Sequence, residues 1–192
     1  MKTVLQSVRM FAVVTLLTGV AYPLAMTAFA KVAFRRQAEG SLIEANGIIV
    51  GSELLAQKFE SDAYFWPRPS AGDYATVASG ASNKGPTSAN LAKSIEAQRT
   101  KFGPSAPVDL LTSSASGLDP HISPEGARAQ IVRIAKARQL PVDTISAAVD
   151  QAVEPPQLGW FGEPRVNVLN LNRALDGIHS AHDTTKALND ID

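Results

Sequence analysis

The chain has 192 residues, with 18 Lys and Arg balanced by 18 Asp and Glu, and no cysteine. A formal charge of zero argues against a nucleic-acid binder, and the absence of thiols removes disulfides, zinc–thiolate sites and cysteine nucleophiles. Outside one apolar stretch near the N-terminus, what remains is the size of one ordinary domain with its own core.

That stretch, Met10–Ala30 (MFAVVTLLTGVAYPLAMTAFA), carries no charge. At about 1.5 Å per residue it makes a helix of about 31 Å, enough to cross the ~30 Å hydrocarbon core of a bilayer. Lys2 and Arg9 before it, and Lys31, Arg35 and Arg36 after it, pin both ends at headgroups. Pro23 removes a backbone donor within the span and predicts a kink, with the hydroxyls of Thr18, Tyr22 and Thr27 as local compensation. Ala12, Thr15, Gly19 and Ala25 are small residues where another helix can approach closely. Ala28-Phe29-Ala30 has the small-x-small form of a signal-peptidase site, so a cleaved secretory signal is the alternative; against it, the run exceeds the usual apolar region of about 7–15 residues. The basic residues at the two ends nearly cancel and leave the orientation open.

Val32–Glu39 is a short connector ended by Gly40. Asn46-Gly47 predicts a turn and Ile48–Val50 a strand. Ser52–Phe59 has a capping serine and apolar residues at 54, 55 and 59, which predicts a two-turn helix. Tyr64–Ser70 (YFWPRPS) is the densest aromatic cluster; its two prolines forbid a helix and predict a stiff extended segment that closes the core or faces a partner. Gly72–Ser88 reads as a long loop. Asn90–Phe102 is an amphipathic helix with Leu91, Ile95, Gln98 and Phe102 on one face, stopped by Gly103-Pro104. Val108–Leu111 predicts a short strand, followed by a hydroxyl-rich turn from Thr112.

Ser123 as N-cap and Pro124 at the first helical position predict a helix running to about Gln139. Ala127, Ile131, Ile134 and Ala135 face inward, and Arg128, Lys136 and Arg138 mostly outward. A second helix, Val142–Val153, packs on it as a pair. Trp160–Pro164 predicts a turn carrying an aromatic pair, Val166–Leu169 a strand, and Leu171–Ile178 a closing helix ahead of a polar tail. The fold class is therefore α/β (α+β): residues 1–9 precede the span, 10–30 cross the membrane, 31–178 form a single soluble domain, and 179–192 are the tail.

Chemistry is hard to place on this chain. No G-x-S-x-G elbow or S-x-x-K spacing occurs. Ser116, Asp119 and His121 are close in sequence, but local capping of backbone donors is the simpler account of the hydroxyls and of Asp119. His179, His182 and Asp183 could approach a metal if the last helix continued that far, but their polar surroundings offer no closed shell. Lys84-Gly85 does not match a phosphate loop, and no D-K-T-G-T-like phosphorylation motif appears. No catalytic, cofactor-binding or metal-ligating residue is assigned. A membrane-anchored accessory subunit fits best; the alternative is an anchored or secreted extracytoplasmic hydrolase or envelope binding protein.

Several longer words support a more specific reading: T-G-V-x-Y-P at Thr18–Pro23, Tyr64–Ala71, Gly80-Ala81-Ser82-Asn83, Thr112–Leu140, and Val166–Asn172 (VNVLNLN). In this order they resemble the C subunit of potassium-transporting P-type ATPases, the KdpC family, almost end to end. The resemblance implies a non-catalytic subunit of an ATP-driven, high-affinity potassium importer in a bacterial cytoplasmic (inner) membrane. Its implied partners are a P-type subunit that hydrolyses ATP, a channel-like potassium-binding subunit, a very small membrane peptide and the lipid bilayer, with no nucleic acid. It further implies a retained anchor with the N-terminus inside and the soluble domain outside, a role in assembly, and a catalytic-chaperone effect that raises ATP affinity in the hydrolysing subunit. ATP is used by the complex. Ser116 and Gln130 fall in the family's most characteristic segment, yet that topology separates them from cytoplasmic ATP, so neither is assigned as a nucleotide ligand.

Overall fold

The computed structural model describes residues 1–45 and 47–189, with side chains described as far as Ile178. It divides into two compact units, 1–52 and 53 onward.

The first unit is a helix followed by a hairpin. Helix α1, Lys2–Ala33, is apolar enough over its length to cross a membrane, and none of its most apolar window is buried within the protein. The irregularity expected at Pro23 takes the form of a π turn at Leu17–Ala21, after which the Tyr22 amide donates five residues back to the Leu17 carbonyl. Such a turn accommodates the donor that proline lacks. The Thr18 and Thr27 hydroxyls donate to the Val14 and Pro23 carbonyls, each at 2.8 Å. Phe34 leaves the helical region, a single turn α2 (Arg35–Ala38) follows, and Gly40 at φ +87° reverses the chain. Strands β1 (Leu42–Ala45) and β2 (Ile48–Ser52) then pair antiparallel, with a bulge after Ile43. The expected strand at Ile48–Val50 is present, and its partner β1 has no sequence periodicity to announce it.

The second unit packs helices on a small sheet. Its helices are α3 (Ala89–Phe102), α4 (Val108–Leu111), α5 (Pro124–Arg128), α6 (Ile131–Arg138), α7 (Val142–Ala152) and α8 (Val168–Asn189). Strands β3 (His121–Ile122), β4 (Val153–Glu154) and β5 (Arg165–Asn167) form an antiparallel sheet in the order β3-β5-β4. Phe65, Leu110, Ile134, Ile145, Leu171 and Leu175 anchor the core. Ala127, Ile131, Ile134 and Ala135 face it as the helical spacing predicts.

Six local readings change. Ser52 is not a helix cap: it ends β2 and its hydroxyl donates to the Gly40 carbonyl at 2.7 Å. The chain then turns and runs extended, the Ala56 amide donating to Leu118. Val108–Leu111 is a helical turn, not a strand; Pro107 precedes it and the Leu110 amide closes onto the Pro107 carbonyl. The helix expected from Pro124 to Gln139 is broken at Ala129-Gln130, where the Gln130 amide bonds only three residues back. The strand at Val166 stops at Asn167 because the Asn167 side chain accepts from the Asn170 amide at 3.1 Å and caps α8. Finally, Arg138 is buried, not outward. The closing helix, expected over 171–178, spans Val168–Asn189.

Candidate subunit interface

The segment Asp62–Trp66 turns at Asp62-Ala63, where the Tyr64 amide closes onto the Ser61 carbonyl at 3.2 Å, and runs extended from Phe65, with its carbonyls bonded by side chains from distant helices. Arg133 donates to Asp62 O at 2.7 Å and to Tyr64 O at 3.0 Å, and Arg138 donates to Ala63 O at 2.7 Å. Asn172 on α8 receives the Phe65 amide at 2.8 Å and donates to the Phe65 carbonyl at 3.0 Å. Gln130 repeats that pairing on Trp66, at 2.8 and 3.1 Å. Adjacent residues of an extended chain present their backbone groups to opposite sides, so the two carboxamides take the place of neighbouring strands.

Gln130 is 1% exposed. Beyond the Trp66 pair, its nitrogen donates to Gly126 O at 3.2 Å and its oxygen accepts from Arg133 at 2.8 Å. An amide side chain offers two donors and two acceptor sites, and all four are engaged within the domain. The break in the helix at Gln130 belongs to this arrangement.

The side chains of the aromatic segment divide as its alternation requires. Phe65 is fully buried. Trp66 is half-buried, with the Arg133 guanidinium 3.7 Å from its ring centre and Phe102 meeting it edge-on at 5.6 Å. Burial pulls the Arg133 guanidinium down to about 10, partly opposed by Asp62, so it stays protonated at neutral pH. Arg138 pairs with Asp176 at 2.8 Å and lies over the Tyr64 ring. An open cleft of about 440 Å³ lies beside Trp66, lined among others by Phe59, Tyr74, Lys101 and Phe102. Burial, and then the charge of Asp73, push the Tyr74 phenol up to about 12.

The hydroxyl-rich turn is stitched to itself. Ser116 Oγ accepts from the Leu118 amide, and Asp119 Oδ1 accepts from the His121 amide at 3.0 Å. Among the described residues no hydrogen bond joins Ser116 to His121. Asp119 also meets Arg68 at 3.4 Å and His121 Nδ1 at 3.6 Å. Burial pushes the Asp119 carboxyl up, but the His121 ring and amide together with the Arg68 charge outweigh it and hold it below the usual range. Asp109 accepts the Ser123 amide at 2.7 Å, while Ser123 caps α5 through Gly126 at 2.9 Å. Gly117 sits at φ +71°, where an added Cβ would lie 3.0 Å from Gly80 O, so the long loop comes close to this turn. The side chains of His179, His182 and Asp183 lie outside the described residues.

The second unit also presents outward the turn after β4. The Gln157 and Phe161 backbones exchange hydrogen bonds at 2.9 Å in both directions. This rigid closure holds out Leu158, Trp160 (73% exposed) and Phe161, the two rings 4.7 Å apart. Single exposed apolar residues are ordinary, whereas three on one closed turn make a candidate contact surface. The aromatic pair was visible in the sequence; the closure was not, because Gln157 carries no turn signature.

Residues 4–177 match the family described as KdpC: K+-transporting ATPase, c chain. Similar relatives include the potassium-transporting ATPase KdpC subunits of Rhodospirillum rubrum, 50% identical over 92% of this chain and 96% of the relative, and of Burkholderia orbicola, 46% identical over 95% and 100%. That of Cereibacter sphaeroides is 51% identical over 84% and 90%. The chain is a member of the KdpC family, the c chain of K+-transporting ATPases.

Proposed function

We propose that this chain is the accessory, non-catalytic subunit of an ATP-driven potassium importer. In this reading, α1 crosses the cytoplasmic membrane with residues 1–9 inside and the second unit outside. The partners are the ATP-hydrolysing P-type subunit, the channel-like potassium-binding subunit and a small membrane peptide. The chain stabilises their assembly and raises ATP affinity in the hydrolysing subunit. The observation that carries the reading is the family match over residues 4–177.

The chaperone effect then has to act at a distance. Gln130, in the most characteristic segment of the family resemblance, has its whole carboxamide engaged with Trp66, Gly126 and Arg133. That occupancy supports an effect transmitted through subunit contacts as a coupling free energy, typically about 1–3 kcal/mol or roughly 5- to 150-fold in affinity. The exposed Trp160–Phe161 turn is the proposed contact, since rigid aromatic anchors dominate interface energetics.

The test is the ATP dependence of potassium-stimulated hydrolysis by purified complexes with and without this chain. Half-saturating ATP rises when the chain is omitted, while the chain alone binds no ATP in equilibrium dialysis. Unchanged ATP dependence, or stoichiometric binding to the chain alone, would refute the reading.

A further inference from the structure

The hairpin β1–β2 exposes the residues a hairpin normally hides. Of its large apolar side chains Ile43 is buried, while Ile48 is 68%, Ile49 57% and Leu42 45% exposed. A two-stranded hairpin is marginal in water and depends on a covering layer. Its register pairs Ile48 with Ala45 and Ile49 with Glu44, so the two isoleucines leave the tip on opposite faces. A flat protein surface laid against one face would cover only one of them. A fluid environment surrounding the tip covers both.

The position of the hairpin in the chain supplies that environment. The uncharged run ends at Ala30, and the eight positions 31–38 are helical apart from the break at Phe34. At about 1.5 Å per residue they carry the chain no more than about 12 Å past the hydrocarbon edge. The headgroup layer itself is about 5–7 Å deep on each side. A five-residue strand spans about 17 Å, so the tip can reach back to the acyl boundary. The connector has the composition of a membrane interface: Phe34 packs edge-on against Phe29 at 6.1 Å, and Lys31, Arg35 and Arg36 fall within six residues.

We infer that the β1–β2 hairpin is a second membrane contact, its Ile48–Ile49 tip immersed in the headgroup–acyl boundary of the bilayer that α1 crosses. The inference rests on reading residues 10–30 as a membrane span and holds for either orientation of the chain. Its consequence is mechanical: the linker between helix and soluble domain is held at the lipid surface at two points instead of swivelling on one.

The cysteine-free sequence allows single-site labelling of the full chain. Ile48→Cys, Ile49→Cys, Val20→Cys and Val77→Cys, each carrying an environment-sensitive NBD dye, are reconstituted without other subunits into phosphatidylcholine vesicles containing phosphatidylglycerol. Val20 lies mid-span and Val77 is fully exposed in the second unit. The expected result is that labels at 48 and 49 emit to the blue of label 77, are quenched by lipids spin-labelled near the headgroup, and resist iodide at least threefold better than label 77. Label 20 responds instead to spin labels deep in the acyl chains. If label 20 is not deep, the span reading has failed. If label 20 is deep but 48 and 49 are as open to iodide as 77, or become protected only once the other pump subunits are added, the membrane contact is overturned.

Discussion

Replacing Gln130 by alanine removes a carboxamide that satisfies both backbone groups of Trp66, at 2.8 and 3.1 Å, while also bonding Gly126 O and Arg133. A buried polar group left without a partner costs about 1–3 kcal/mol. Two such groups on Trp66 give about 2–6 kcal/mol, and partial entry of water at this half-buried segment places the expectation near 3 kcal/mol, against a total stability of about 5–15 kcal/mol. Asn172→Ala strips the same two bonds from Phe65 and should cost as much or more. Arg128→Ala is the control, because its 3.0 Å pair with Asp150 is exposed on both sides and pairs of that kind contribute about 0–1 kcal/mol. The assay is urea unfolding of the full chain in mild detergent, followed by tryptophan fluorescence. Of the two tryptophans Trp160 is already exposed, so the change reports chiefly on Trp66. With a urea dependence of about 1.5 kcal/mol/M, a loss of 3 kcal/mol lowers the midpoint by about 2 M. A Gln130→Ala midpoint within about 0.5 M of the parent would refute the clamp and return Gln130 to consideration as a ligand residue.

Trp160→Ala should weaken recovery of the other pump subunits by about 2 kcal/mol, in the range of aromatic interface anchors, while leaving the urea midpoint unchanged; a folding defect, or no effect on recovery, contradicts the proposed contact. Asp119 has a carboxyl pKa below its unfolded value, so the unfolded chain binds more protons between the two values and stability rises with pH there. The contribution is complete above the unfolded value near 4 and is lost as pH falls through the folded one, so Asp119→Asn should flatten the acid limb of the stability profile measured by urea titration. A Val77→Cys chain in intact spheroplasts should react with a membrane-impermeant maleimide, and reaction only after lysis would reverse the proposed orientation.

Much of the fold was legible because it is written in local pattern. The uncharged run marked α1, the helical spacing of Leu91, Ile95, Gln98 and Phe102 marked α3, and Ser123-Pro124 marked the start of α5. The misreadings came from contacts made far along the chain. Ser52 has the chemistry of an N-cap but is held by Gly40, and Val108–Leu111 is too short an apolar run to separate strand from helical turn. Arg138 sits among basic residues that face solvent, and only its bonds to Ala63 and Asp176 reveal its burial. Strands of two residues, as in β3 and β4, carry no period at all. At the candidate interface, Tyr64–Ser70 and the Trp160–Phe161 pair stood out by composition. The side chains that hold them did not, because Gln130 and Asn172 act on residues 64 and 107 positions away.

The central claim is that this chain works as a stoichiometric part of a potassium pump, and affinity purification of the tagged chain from solubilised native membranes tests it most directly. The expected result is equimolar recovery of an ATP-hydrolysing P-type subunit and a channel-like subunit, with potassium-stimulated ATPase activity in the recovered material. Recovery of the chain alone, or with envelope proteins that carry no ATPase activity, would contradict it.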